Sequence, residues 1–463
     1  MKYKSILVLI FISISICCVY SQNEQVYFKT GDRVCFVGNS ITMGGDFHHN
    51  IALAYALGYP ELQIRFFNCG ISGDVTKGIL KRLESDILVK KPTCCVLMAG
   101  MNDVKRDLYS NKASTSVGNI QEARNRVLEE YYLNLEEIIK RLIGLNIRVL
   151  LQTPTIFDQT AKLSGDNYFG VNDALGECSN HVKLLARKYD LPVIDYYSIL
   201  LKLNNQVQVK DSAATIIGSD RVHPGSYGHF VMAYQFLKSG NFNSIVSEIE
   251  INTHSPKTTK TANCDLIDLS LKNKKNIIFS YKEKSLPFPR LSVGFKPDSL
   301  VSFTNDFNMQ IVKVKGLAKG KYKFLIDEIP IGIYTSEEYS KGINLANIEL
   351  TPQNIQAKKV LAAYRKCWEQ ESILRTLKYV EYSHLKDFKN KENVDSVKNH
   401  FTVIMTGFEK NPQPYSGFFK KSFDSYLLNK PNEKDIENKF DAFFEEIYKI
   451  NKPVIHQVVI RRE

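Results

Sequence analysis

At 463 residues, with 44% hydrophobic and 11% aromatic side chains, the chain is too long for one ordinary domain and too apolar to be disordered. Its formal net charge of +12 is unevenly placed: residues 22–250 carry 24 basic and 24 acidic side chains, residues 251–463 carry 35 and 25. The lysines of the second half are scattered, which favours solvated faces over a patch for a polyanion.

The chain opens on Lys2 and Lys4, an apolar run over 6–19, and the small residue Ser21. This order predicts a signal peptide over 1–21, removed on export, and a secreted or periplasmic protein. Cys17 and Cys18 raise lipid modification as the lesser alternative, because neither follows a small residue. No later stretch approaches the roughly 20 apolar residues of a membrane span. Neither a transmembrane segment nor a nucleic-acid partner is therefore expected. Cys35, Cys69, Cys94, Cys95, Cys178, Cys264 and Cys367 remain, an odd set partly in apolar runs, which predicts packing rather than a disulfide framework. None has the spacing of a zinc site, so no metal and no cofactor is expected.

From residue 33 the pattern alternates. Strands are predicted at 34–37, 63–68, 94–98, 148–153 and 192–195, with helices near 48–58, 75–90, 119–143, 170–189 and 225–238. Such alternation predicts a parallel sheet with helices on both faces. Four stretches fall where that architecture puts chemistry, at strand carboxyl ends or in a late loop. Residues 34–42 (VCFVGNSIT) break from strand to turn at Gly38, placing Ser40 beside backbone N–H groups that favour negative charge. Residues 64–75 (IRFFNCGISGDV) end in a loop with two glycines, and residues 92–103 (PTCCVLMAGMND) end at Asn102. Residues 218–225 (GSDRVHPG) set Asp220 and His223 three apart before a helix. Each stretch alone reads as a turn or a cap.

Together and in this order they resemble the four blocks of the SGNH (GDSL-like) hydrolase superfamily, over roughly residues 33–230. The resemblance implies a three-layer α/β/α flavodoxin-like sheet and a catalytic region at 22–250. It also implies Ser40 as nucleophile, His223 as general base and Asp220 as its orienting acid. The oxyanion donors would be the backbone N–H groups of Ser40 and Gly73 and the side-chain amide of Asn102. The family commonly has Asp before the serine. Here Asn39 stands there, keeping much of the hydrogen-bonding geometry that holds the turn.

Two loops, 103–118 and 153–158, are expected to border the cleft, with Phe157 as packing. His48, His49 and His229 lack an acid at the matching spacing and are expected to pack or be solvated. Residues 251–262, rich in Thr, Ser, Pro and Lys, read as a linker. A β-rich region follows over 263–350, with strands at 277–282, 300–303, 309–314 and 321–326 and a hairpin turn at 317–320. Thr335 and Glu338 form a capping-box pattern. Residues 351–463 read as helical, at about 351–386, 394–400 and 432–450, with Trp368 in the core. This second half resembles the accessory region of some secreted bacterial members of the superfamily. The expected function is a serine esterase removing short acyl groups, acetyl above all, from a small-molecule or polysaccharide ester. A lipase or thioesterase and a non-catalytic carbohydrate-binding protein are the alternatives.

Overall fold

Five apolar runs pair into one parallel sheet: β1 (Arg33–Gly38), β2 (Arg65–Gly70), β3 (Cys94–Met98), β4 (Arg148–Gln152) and β5 (Val193–Ile194), in the order β2-β1-β3-β4-β5. The computed structural model describes residues 26–110, 118–272, 276–292, 294–412 and 415–463; the expected signal peptide and the middle of the loop after Asn102 lie outside the described residues. Buried on both faces, these strands are nearly continuous in hydrophobicity, as a covered parallel sheet requires. Gly38 is in register with Gly70 on one side and Met98 on the other, so the loops after β1, β2 and β3 leave the sheet at one level.

The helices are α1 (Ser40–Gly44), α2 (Asp46–Gly58), α3 (Thr76–Lys81), α4 (Ile120–Gly144), α5 (Val171–Tyr189), α6 (Tyr196–Lys210) and α7 (Ser226–Ser239). Helix α2 packs on α7, while α4 packs on α3 and α5, closing a three-layer α/β/α sandwich. The sequence pattern misses α6, which begins where the Asp195 carboxylate accepts the Ser198 N–H at 3.0 Å.

Beyond α7 come β6 (Ile245–Asn252), β7 (Lys260–Ala262), β8 (Cys264–Lys272), β9 (Asn276–Glu283), α8 (Phe303–Phe307), β10 (Met309–Lys315), β11 (Lys321–Ile326) and β12 (Ile329–Thr335). They are followed by α9 (Ser336–Lys341), β13 (Ile343–Asn344), α10 (Pro352–Ser383), α11 (Val394–Lys410), α12 (Ser416–Asn429), α13 (Glu433–Ile450) and β14 (Ile455–Arg462). Two further sheets result, ordered β13-β10-β6-β7 and β12-β11-β14-β9-β8. They share a second core in which Ile249, Ile251 and Val314 meet Phe279, Phe324 and Ile460. Among the described residues no helix is long and apolar enough to cross a membrane.

Four expectations for this half are corrected. Residues 251–262 are not a linker: they hold the end of β6 and all of β7, which pair antiparallel, and their turn-forming residues serve that connection. Residues 300–303 are not a strand, because Asp298 accepts the Thr304 N–H at 2.7 Å and turns the chain into α8. Residues 317–320 do not close a hairpin. Strand β10 pairs with β6 and β13, whereas β11 pairs with β12 and β14, so the turn passes between two sheets. The last region is not wholly helical either, since β14 returns to pair between β11 and β9. The capping box does form, with Thr335 Oγ1 accepting the Glu338 N–H at 3.2 Å and Glu338 accepting the Thr335 N–H at 2.7 Å.

Candidate active site

Ser40 is the first residue of α1, immediately past the carboxyl end of β1. The turn before it is cramped: a Cβ on Gly38 would lie 2.3 Å from Thr42 Oγ1 and 2.6 Å from the Met98 carbonyl, so only glycine fits. Asn39 is buried, and its side-chain oxygen accepts the Ile41 N–H at 3.1 Å, capping α1. The amide thus holds the turn as expected.

His223 arrives from a loop before α7. Its Nε2 lies 2.7 Å from Ser40 Oγ and its Nδ1 lies 2.5 Å from Asp220 Oδ2. The other carboxylate oxygen of Asp220 accepts the N–H groups of Val222 and His223, each at 3.0 Å. Burial alone would raise the Asp220 carboxyl. The His223 ring and these two N–H groups outweigh it and hold the group down at about 2. Arg221 takes a left-handed φ of 65°, unusual for a side chain with a Cβ. Its buried guanidinium donates to the carbonyls of Asp158, Ala161 and Leu163, which fixes the loop. The sequence offers no sign of this role, because all three acceptors are main-chain carbonyls about 60 residues away.

Gly73 occupies the left-handed position of a tight turn, φ 78°, closed by the Asp74 N–H on the Ile71 carbonyl at 3.1 Å. The Asn102 amide donates to the Asp74 carbonyl at 3.0 Å while its oxygen accepts from Arg106 at 3.2 Å. An amide nitrogen carries two N–H groups, so these bonds fix the orientation and leave one donor. Asp103, to which the sequence pattern assigns no role, joins these loops. Its buried carboxylate accepts the Thr76 N–H and hydroxyl and the Gly100 N–H at 2.7–2.9 Å, although burial pushes its pKa up. Beside Gly73 lies a cavity of about 200 Å³ bordered by Ser72, Asp74, Lys81, Tyr382 and Lys386.

The nearby histidines pack. His48 is buried, stacks on Phe36 and contacts the Thr42 carbonyl at 3.0 Å, and burial lowers its pKa. His229 stacks on Phe47, and burial takes its imidazole down to about 4. His48, His49 and Glu371 could bring three metal-ligating atoms within 4.8 Å of one another. Their polar atoms are already engaged, however: Glu371 holds His49 Nε2 at 3.1 Å and the Asn68 N–H at 2.7 Å. Trp368 stacks on His49 and Tyr364, and Phe157 is buried, so both are packing residues.

The geometry is a serine, a histidine and a carboxylate in one hydrogen-bonded chain at the edge of a parallel sheet. The model of the GDSL-like lipase/acylhydrolase family matches residues 36–230, the segment that carries all of it. Over those residues the chain is similar to that family and has the SGNH hydrolase fold. It is an ester-hydrolysing enzyme. An acetylxylan esterase of Geobacillus stearothermophilus is 27% identical over 230 residues, 46% of this chain and 95% of that protein. The solved structure of a gut microbial diltiazem-metabolizing enzyme is 28% identical, covers 95% of this chain and 100% of its own, and superposes with a TM-score of 0.83. That likeness extends through the added sheets and helices of this SGNH hydrolase.

Proposed function

We propose that this hydrolase removes short acyl groups, acetyl foremost, from carbohydrate esters through an acyl-enzyme on Ser40. His223 Nε2 takes the hydroxyl proton as Ser40 Oγ attacks the ester carbonyl carbon, and Asp220 holds the resulting imidazolium in place. The oxyanion collects on the N–H groups of Ser40 and Gly73 and the free N–H of Asn102. The proton then passes from His223 to the departing sugar oxygen. Water repeats the sequence on the acyl-enzyme and releases the acid and the free serine.

The observation that carries this reading is the 2.7 Å contact between Ser40 Oγ and His223 Nε2, with Asp220 behind the ring. The substrate class is supported by the acetylxylan esterase relative. Export, with residues 1–21 removed, belongs to the same reading and rests on Lys2, Lys4 and the apolar run after them.

The test is hydrolysis of nitrophenyl acetate, butyrate and octanoate by the wild type, Ser40→Ala and His223→Ala. Expected are a preference for acetate and near-complete loss of turnover in both variants, with unchanged melting temperatures. A preference for octanoate would redirect the substrate class to lipids, and full turnover by Ser40→Ala would end the mechanism.

A further inference from the structure

Helix α10 is remote in sequence from the Ser40 and Gly73 turns, yet it reaches them through buried charges. Arg375 is 3% exposed. It donates to both carboxylate oxygens of Asp86, 289 residues earlier, at 2.8 and 3.0 Å and to the Gly70 carbonyl at 3.0 Å. Asp86, itself buried, also binds Arg82 Nη1 at 2.5 Å. Arg82 is 2% exposed and ends the relay in two places: its Nε donates to Asp74 at 2.8 Å and its Nη2 to the Gly38 carbonyl at 3.2 Å.

These two endpoints matter because of what they adjoin. Gly38 precedes the Asn39–Ser40 turn, and its carbonyl also accepts the Ile71 N–H at 3.0 Å. Asp74 follows Gly73, and its carbonyl is the acceptor that fixes the Asn102 amide. One turn earlier on α10, Glu371 accepts the Asn68 N–H of β2, the edge strand of the parallel sheet. Ile71 packs against Leu377 and Val380 of the same helix. A single helix therefore grips the end of β2, the serine turn and the Gly73 turn together.

We propose that Arg375 is a positioning residue for ester hydrolysis. Through Asp86 and Arg82 it sets the spacing of the Ser40, Gly73 and Asn102 donors, which makes α10 a working part of the active site. The inference rests on the oxyanion role given above to Gly73 and Asn102. A chain of buried, mutually neutralising ion pairs suits such positioning because it is rigid. Breaking one member leaves an unpaired buried charge that the neighbouring loops must move to accommodate. Donors for a transition state must be held closely, since a displacement of about 1 Å can cost roughly a hundredfold in rate.

The experiment compares wild type, Arg375→Gln, Arg375→Lys and the double variant D86N/R375Q on nitrophenyl acetate. Rates are expressed per competent site, counted by titration with a serine-directed fluorophosphonate. The double variant leaves no unpaired Asp86 and keeps Arg82 on Asp74, so it serves if Arg375→Gln does not fold. Expected is a fall in kcat per titrated site of about tenfold to a hundredfold. KM should stay within twofold, affinity for a boronic acid transition-state analogue should weaken in parallel, and the acid limb of the pH profile should not move. Arg375→Lys should recover part of the rate. A lowered melting temperature with kcat per titrated site within twofold of wild type would overturn the proposal, because a purely structural pair would behave so. Ser40→Ala and Asn102→Ala are measured alongside. If they lose turnover while the Arg375 variants keep it, this inference alone fails; if they keep turnover, the underlying site reading fails.

Discussion

At the scale of single residues, Asn102 gives the sharpest separation between holding a loop and stabilising a transition state. Its oxygen is tied to Arg106 and one N–H to Asp74. Asn102→Ala removes those ties together with the free donor, while Asp103 still pins the loop through Thr76 and Gly100. The fold should therefore survive. The expected result is a fall in kcat of about a hundred- to a thousandfold with KM little changed, read from steady-state kinetics on nitrophenyl acetate. A fall in kcat below tenfold would take the amide out of the oxyanion role. Ser40, Gly73, Asn102, Asp220 and His223 stand out as candidates in the sequence because each sits where a strand or helix pattern breaks. Arg82, Arg221 and Asp103 do not stand out. An arginine and an aspartate four apart in a helical stretch carry no local mark of burial, yet both are buried here.

At the scale of elements, the two added sheets are joined by one buried carboxyl. Glu283, at the end of β9, accepts from Ser247 of β6 at 2.9 Å and from Gln310 of β10 at 2.7 Å, both on the same oxygen. Its other oxygen has no partner, and neither do the side-chain oxygens of Gln310 and Gln353. The Tyr281 hydroxyl also donates to the first oxygen, at 3.3 Å, and a further donor is needed for the acceptors that remain. Burial raises the Glu283 pKa, so the native state favours the protonated acid, whose O–H is such a donor. The sign follows. Below the ordinary carboxyl range, near 4.3, native and unfolded chains are both protonated and no penalty exists. As pH rises through the elevated native value, the unfolded chain ionises more readily and stability declines. Glu283→Gln keeps the acceptor and supplies permanent N–H donors. Its melting temperature should exceed wild type at pH 8 and converge on it near pH 4. A variant less stable by the same margin at both pH values would contradict the protonated assignment.

At the scale of the whole molecule, the hydrolase sheet was readable because its strands and helices alternate locally, and each short connection leaves little choice of order. The second half was not, because its partners are distant in sequence. Strand β14 lies between β11 and β9, pairing with residues more than 130 positions earlier, and no periodicity can announce that. The consequence is an interlock. Asn451, between α13 and β14, donates to the Ala56 carbonyl of α2 at 2.8 Å. The last strand of one region is thus anchored on the first helices of the other. Deleting residues 455–463 strips β9 and β11 of a shared ladder and removes the fully buried Val458 and Ile460. Each buried aliphatic contributes about 1.5–3 kcal/mol, and the ladders add to this, against a typical total stability of about 5–15 kcal/mol. The truncated chain should therefore lose the cooperative melt of its second core and bind a hydrophobic dye such as ANS at 25 °C. Helix α10 keeps its grip on β2 and the relay from Arg375, so esterase activity per titrated site should outlast that core. Calorimetry with dye binding checks the first half of this expectation, and titrated kinetics the second. A single intact transition at the wild-type temperature would mean that β14 closes a sheet already stable without it.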